Sequence, residues 1–253
     1  MFALFIFLIP AGAKIFLFLN RVVVEILNSA TAGTKFLFGN LAYSPGEPGS
    51  IGFILAFQAL PTIIFFSALT SILYYYNILP FIIKGFAYLF TRLMKISGAE
   101  SLCAASNIFV GIESALTIRP YLGQMTASEL CTVLTAGMAT VASNVLALYV
   151  FTLQQQFPTI AAHLISASLL SAPAAVIMSK LILPETGTPL TLGINPPLDY
   201  QKENNVLEAI IKGANTGVKL IVGIAALLLA ILGLVALIDL GLTGLGDKIN
   251  QLC

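Results

Sequence analysis

An all-α, polytopic integral membrane protein is the fold class that this sequence predicts, and three observations carry it. Of 253 residues, 58% are hydrophobic and only 9% charged, against roughly 25% charged in a soluble domain. Mean hydropathy is +0.97. What charge there is sits between apolar runs long enough to cross a bilayer, such as 127–153 and 220–240. With a net charge of +1 the composition gives no argument for nucleic acid, and membrane lipid is the surrounding it calls for.

The elements follow in order. Residues 1–76 read as N-terminal membrane helices. The first run, Phe2 to Leu19, is apolar without the basic start of a secretory signal, and Pro10, Gly12 and Lys14 end it near Lys14. Arg21 to Gly39 is a separate amphipathic segment running into the turn YSPGEPGS. Ile51 to Tyr76 is a span kinked at Pro61, which a bilayer tolerates where neighbours satisfy the freed carbonyl. Residues 77–95 place Lys84, Arg92 and Lys95 among Phe81, Leu89 and Leu93, the pattern of a helix lying along the membrane interface.

Residues 96–183 form the core of the reading. A helix from Gly98 to Val110 is about 20 Å long, short of the roughly 30 Å of a hydrocarbon core. It predicts a re-entrant hairpin, two half-helices meeting at Gly111 and closed by Arg119-Pro120. The spans 127–153 and 159–183 follow, joined by an uncharged turn. Residues 184–253 hold a polar connection, a helix at 205–219 with a weak small-residue packing signal at Gly213 and Gly217, and a last span at 220–240. Lys84, Arg92, Lys95, Lys180, Lys202 and Lys212 fall on one side of these crossings and loops 42–50 and 154–157, without Lys or Arg, on the other; the basic side is expected to be cytoplasmic.

The chemistry is concentrated in two polar interruptions. Glu113 lies at membrane depth, where a carboxylate costs about 2.5–3.5 kcal/mol unless it faces a cavity or a partner, so it reads as functional or as paired with Arg119. Asn107, one turn before Gly111, either helps coordinate a cation with freed carbonyls or makes an interhelical hydrogen bond. Thr140, Ser143 and Asn144 interrupt the span 127–153, and such a unit facing a half-helix tip is how secondary transporters hold an ion and a solute. His163 sits near a membrane end, as an interfacial residue rather than a proton relay, and Cys103 and Cys131 in apolar helices read as packing. No nucleophile with a base, no Cys/His cluster and no Gly-rich phosphate loop is present, so no enzyme and no resident cofactor is expected.

The stretches LPTIIFFSALTSILYY (60–75), SGAESLCAASNIFVG (97–111), IRPYL (118–122), TASEL (126–130), SAPAAVIMSKLILPET (171–186) and NVLEAIIKGANTGVKL (205–220) resemble the concentrative nucleoside transporter family, the cation-coupled nucleoside symporters. The resemblance implies a membrane-embedded homotrimer, alternating access, and a nucleoside held with Na⁺ or H⁺ between the hairpin tip and the broken span. It implies that Asn107, the carbonyl of Val110, Thr140 and Val141 hold the ion. Gly111, Ile112, Glu113 and Ser114 would face the solute, with Val145 as an apolar wall. The family tip reads Gly-Gln-Thr-Glu-Ala-Pro; Gly111-Ile112-Glu113-Ser114-Ala115 is one residue shorter and lacks the Gln-Thr pair and the proline. The family's first span and its second hairpin with two further spans are also not matched, so the chain is expected to be part of a longer product. The expected function is cation-coupled nucleoside import at the plasma membrane; the alternatives are transport of another small polar solute, or an inactive, truncated relative.

Overall fold

The computed structural model describes residues 10–194, 196–199 and 203–252, and the side chains within them apart from those of 10–13, 15, 16, 112, 113 and 244–252. Among the described residues the regular structure is helical throughout. Four stretches there are long and apolar enough to cross a bilayer: Leu55–Tyr75, Ala127–Leu153, Ile160–Ile182 and Val206–Thr243. Part of the expected first run, residues 2–9, and Lys202 and Cys253 lie outside the described residues.

Helix α1 (Pro10–Phe38) is continuous, which corrects the division of this region near Lys14 and Asn20. Nothing between Leu19 and Phe38 removes a backbone donor, Lys14 is a good helix former, and Gly12 falls in the first turn, where a weak one costs least. Its 29 residues extend about 43 Å, more than a bilayer core. Asn20 fixes it in place, donating to the Pro158 carbonyl at 3.0 Å and accepting from the Ala162 N–H at 3.3 Å.

After a loop tied by Gln58, whose amide donates to the carbonyls of Tyr43 and Gly52, come α2 (Leu55–Gln58) and α3 (Pro61–Tyr75). Pro61 is therefore not a kink inside one helix; it opens α3, where its missing N–H leaves nothing unpaired. The break before it is a wide turn, Leu60 N–H to Leu55 carbonyl, followed by a tight one, Thr62 N–H to Ala59 carbonyl. Helix α4 (Ile78–Met94) is bracketed by left-handed residues, Asn77 at φ 61° and Lys95 at φ 53°, which turn the chain sharply at both ends.

The hairpin arm α5 (Gly98–Val110) has the bounds expected of it. The second arm differs: Gly111–Ile118 is a 3₁₀ helix, and Arg119-Pro120 opens a short turn, α6 (Arg119–Leu122), instead of closing a half-helix. Next are α7 (Ala127–Ala139) and α8 (Ser143–Leu153), then α9 (Ile160–Ile182), which contains Pro173 without being ended by it. Helix α10 (Val206–Leu252) is again continuous where two pieces were expected, because its interior glycines lower helix propensity without breaking it.

Those glycines explain how α10 packs. Ala209 is fully buried, and a Cβ placed on Gly213 or Gly217 would stand 2.8 Å from the Cα of Ala68 or 2.6 Å from the Cα of Ile64. Helices α3 and α10 thus meet backbone to backbone, the close approach that small residues at four-residue spacing allow. Beyond this contact α10 is exposed along residues 226–243.

The two ends of the molecule are distinct. Residues 44–58 and the 151–155 turn border one cavity, which places both loops at the same end. At the other end Gly98 and Ala99 donate to Thr191, Asp199 donates to the Thr117 carbonyl, and Ser128 donates to the Leu183 carbonyl. The polar connection after α9 is therefore folded under the hairpin instead of hanging free.

Candidate functional site

The site is built where a folded-back arm meets a broken helix. Helix α5 starts with a capping box: the Ser97 hydroxyl accepts from the Glu100 N–H and the Glu100 carboxylate accepts from the Ser97 N–H. It ends at Gly111, whose φ of 71° and ψ of −143° belong to a region open essentially to glycine. The chain then doubles back. Cys103 and Ser114 share a hydrogen bond at 3.4 Å, and Thr117 donates to Ser106 at the same distance, although each pair is eleven residues apart. In a straight helix such pairs would be separated by about 16 Å.

Helix α7 also starts with a capping box, Thr126 with Glu129, and stops at Thr140, which is extended at φ −116° and ψ 157°. The helix resumes at Ser143, so the interrupted span is broken at 140–142. Tip and break touch: a Cβ on Gly111 would lie 2.8 Å from the Ala142 Cβ and 3.1 Å from its Cα and N. Glycine is required at 111 twice over, by its dihedral angles and by this approach.

Asn107 is completely buried, and neither its amide oxygen nor its amide nitrogen has a hydrogen-bond partner. Leaving such a group unmet costs about 1–3 kcal/mol, which singles out this amide, one turn before the tip, among the polar groups around it. Of the other residues expected at the ion, Val110 is half-buried at the end of the arm and Val141 half-buried in the break. Thr140 donates to the Ala136 carbonyl at 3.2 Å, which leaves the lone pairs of its hydroxyl available.

Of the residues expected at the solute, Gly111 is buried against Ala142, and Ser114 is turned into the hairpin, 1% exposed and bonded to Cys103. Val145 is half-buried, its N–H held by the Asn144 side-chain oxygen at 2.8 Å. The side chains of Ile112 and Glu113 lie outside those described, and with them the suggested pairing of Glu113 with Arg119; Arg119 itself is exposed. Beside the tip, a cavity of about 170 Å³ opens between the ends of α5 and α8 and the paired helices α3 and α10; Val110, Asn144, Ser67, Ser71 and Lys212 line it. Asn144 reaches Ser67 across it at 3.5 Å.

One cluster escaped the sequence reading. The Lys180 ammonium lies 2.6 Å from the Glu100 carboxylate and 3.6 Å from that of Glu185, and donates to the Ser128 hydroxyl at 2.9 Å. The Thr126 hydroxyl donates to Glu185 at 2.8 Å. Glu100 is 1% exposed, so this is a buried pair stapling the start of the hairpin arm to α7 and α9. Burial pushes the Glu185 carboxyl up, but the Thr126 hydroxyl, the Gly187 N–H and the Lys180 ammonium together hold it below its ordinary value. The signal available in sequence was the S/T-x-x-E spacing at both Ser97 and Thr126.

The membrane-length helices and a folded arm seated on a broken span define a multi-pass α-helical membrane protein. Three family models match it: the Na⁺ dependent nucleoside transporter N-terminus at residues 1–41, nucleoside recognition (gate) at 56–156, and the Na⁺ dependent nucleoside transporter C-terminus at 163–252. The chain belongs to the concentrative nucleoside transporter family. It is 38% identical to the nucleoside permease NupC of Helicobacter pylori over 91% of its own length and 54% of the permease. It is 37% identical to sodium/nucleoside cotransporter 1 of Rattus norvegicus over 98% of its own length and 36% of that protein. CNTnw, solved in an inward-facing substrate-bound state, superposes with a TM-score of 0.80 at 35% identity, over 90% of this chain and 55% of that one. The chain thus spans about half the length of the permease and of the solved transporter.

Proposed function

We propose that this chain forms part of a secondary active transporter that imports a nucleoside together with Na⁺. The observation that carries the proposal is Asn107: a fully buried amide with both polar atoms unmet, one turn before a tip that rests on a broken span. The donor set expected there, the Asn107 amide oxygen, the Val110 and Val141 carbonyls and the Thr140 hydroxyl, is all neutral oxygen, which suits a hard monovalent cation. The name of the rat relative, a sodium/nucleoside cotransporter, supports the same ion and solute.

In this reading Gly111, Ile112, Glu113 and Ser114 form the tip, Glu113 contacts the base, and Val145 is an apolar wall. The hairpin enters the bilayer from the basic side without crossing it. Helices α3 and α10, locked by their small residues, are the fixed element. The block of α5, α7 and α9 moves against them along the polar cavity that Asn144 and Ser67 bridge. A homotrimer is the proposed assembly, with the exposed apolar surface of α10 available for it.

The test is uptake of labelled uridine by cells expressing the gene, with Na⁺ and with choline in its place. Uptake is expected to need Na⁺, and Asn107→Ala to raise the Na⁺ concentration for half-maximal uptake at least tenfold, the loss of about 1.4 kcal/mol from one ligand. Uridine uptake indifferent both to Na⁺ and to Asn107→Ala would overturn the ion assignment; Na⁺-dependent uptake of a different small polar solute, with none of uridine, would replace the substrate. Because the tip lacks the family's Gln-Thr pair, that second outcome is the specific rival reading.

A further inference from the structure

Helix α4 divides its circumference into three parts. One, carrying Leu79, Ile83, Ala87 and Phe90, is buried against the hairpin. A second carries Lys84, Tyr88, Arg92 and Lys95, all exposed, which advance by four, four and three residues and so form a single stripe. The third carries Ile78, Ile82, Leu89 and Leu93, which are 48%, 38%, 46% and 70% exposed. A soluble surface helix has two faces, core and solvent. The third, apolar face needs another medium.

Its placement shows which. Helix α4 leaves the end of α3 and delivers the chain to the start of α5, both fixed by tight left-handed turns. Its 17 residues extend about 26 Å, less than a hydrocarbon core, and Lys84 stands near its middle. A crossing helix would put that exposed ammonium at the bilayer centre, so α4 lies along the surface, with Ile78, Ile82, Leu89 and Leu93 toward acyl chains and the stripe toward headgroups.

The stripe is cationic without compensation. Residues 78–95 contain no Asp or Glu, and the ion pairs found among the described residues do not involve Lys84, Arg92 or Lys95. Arg92 donates to the Tyr88 hydroxyl at 2.8 Å, which holds its guanidinium along the stripe. Next to Lys84 a cavity of about 410 Å³ opens between α4, the start of α5 and Pro196-Pro197, large enough for a phosphate and glycerol group where the stripe meets the buried face.

We propose that α4 is a binding surface for anionic phospholipid, with one headgroup phosphate held at Lys84 in this cavity and others along Arg92 and Lys95. Neutral lipid satisfies the apolar face equally well but leaves three cations unmatched. Each basic residue near an anionic surface is worth about fivefold in partition, so the three together are worth on the order of 100-fold. Screening makes that preference fall as salt rises.

The experiment uses the protein purified in mild detergent and titrated with phosphatidylglycerol or with phosphatidylcholine of the same acyl chains, retained lipid being counted by native mass spectrometry. Phosphatidylglycerol is expected to be retained in preference. Lys84→Gln, Arg92→Gln and Lys95→Gln combined should abolish the preference while leaving phosphatidylcholine retention unchanged. The single substitutions, which disturb folding least, should each lower it by about fivefold, and Lys84→Arg should keep it. Equal retention of the two lipids by the wild type, or a preference that is undiminished in all the single variants, would overturn the proposal. The readout is independent of transport, so it stands or falls apart from the sodium assignment.

Discussion

Replacing Gly111 by Ala tests the contact on which the site depends. The new methyl group meets two separate obstacles. At φ 71° and ψ −143° an L-residue is strained by about 1–3 kcal/mol. Its Cβ also stands 2.8 Å from the Ala142 Cβ, where carbon atoms pack at about 3.5–4.0 Å, so tip and break must separate by roughly 1 Å at a further cost of about 1–3 kcal/mol. The sum, about 2–6 kcal/mol, is large against any single contact, and the displacement falls between the two halves of the proposed ion site. Gly111→Ala should therefore lower the thermal midpoint in detergent and abolish uptake. Gly85→Ala, with ordinary φ and nothing within 4 Å of its added Cβ, should do neither. Adding Ala142→Gly removes the facing methyl but not the strain, and should recover about half of the lost stability. A Gly111→Ala protein with wild-type midpoint and uptake would refute the geometry. A loss of midpoint that Ala142→Gly leaves untouched would show that strain alone matters and that tip and break do not touch.

Two further expectations concern the staple at the base of the hairpin. Lys180→Gln strands the Glu100 carboxylate, 1% exposed, and should cost about 3–5 kcal/mol of stability, most of it regained in Glu100→Gln/Lys180→Gln; thermal unfolding in detergent measures both. Glu185 lies in the connection outside the spans, and its carboxyl is held below the ordinary 4.5. Its stabilising contribution is therefore complete above that value and disappears as pH falls through the lowered one. Midpoints recorded from neutral pH down to about 3 should show an acid limb that Glu185→Gln flattens; an identical limb in the variant would remove Glu185 from the staple.

Reading the sequence recovered what depends on hydrophobicity and on strong breakers. Gly98–Val110, the break at 140–142 and the spans were legible because each is bounded by a capping residue, a glycine in a special conformation or a polar interruption. Continuity was not. Helix α1 reads as divided because Pro10, Gly12 and Lys14 resemble an end, and α10 because polarity changes at Lys219, whereas a helix ends only where a backbone bond is lost. In the site, the distance of Asn107 to Gly111 is legible in the sequence, but its isolation is a tertiary fact: the fold buries it completely and brings no group to its amide. Lys180 was read only as a topological marker, since its partner Glu100 is eighty residues away and comes into range through the fold alone.

The second arm of the hairpin shows how such a tertiary constraint overrides local sequence. Both ends of the second arm are pinned: Gly111 against Ala142, and the far end where Ile118 is fully buried and the Thr117 carbonyl accepts from the Asp199 N–H at 2.9 Å. Eight residues must bridge the gap. Wound as an α-helix they would cover about 12 Å; wound as a 3₁₀ helix, at about 2.0 Å per residue, they cover about 16 Å. The tighter winding spans the distance between the two anchors with Gly111 on the broken span, and Thr117, donating to the Ser114 carbonyl at 2.6 Å, helps to hold it. Leu116, 62% exposed, faces away from this packing, so the 3₁₀ form is imposed by the two anchors and not by any strong local preference of Gly-Ile-Glu-Ser-Ala-Leu-Thr-Ile. The arm reaches between its anchors by its pitch, and the 3₁₀ winding sets the register of side chains along it while the anchors set the position of the tip.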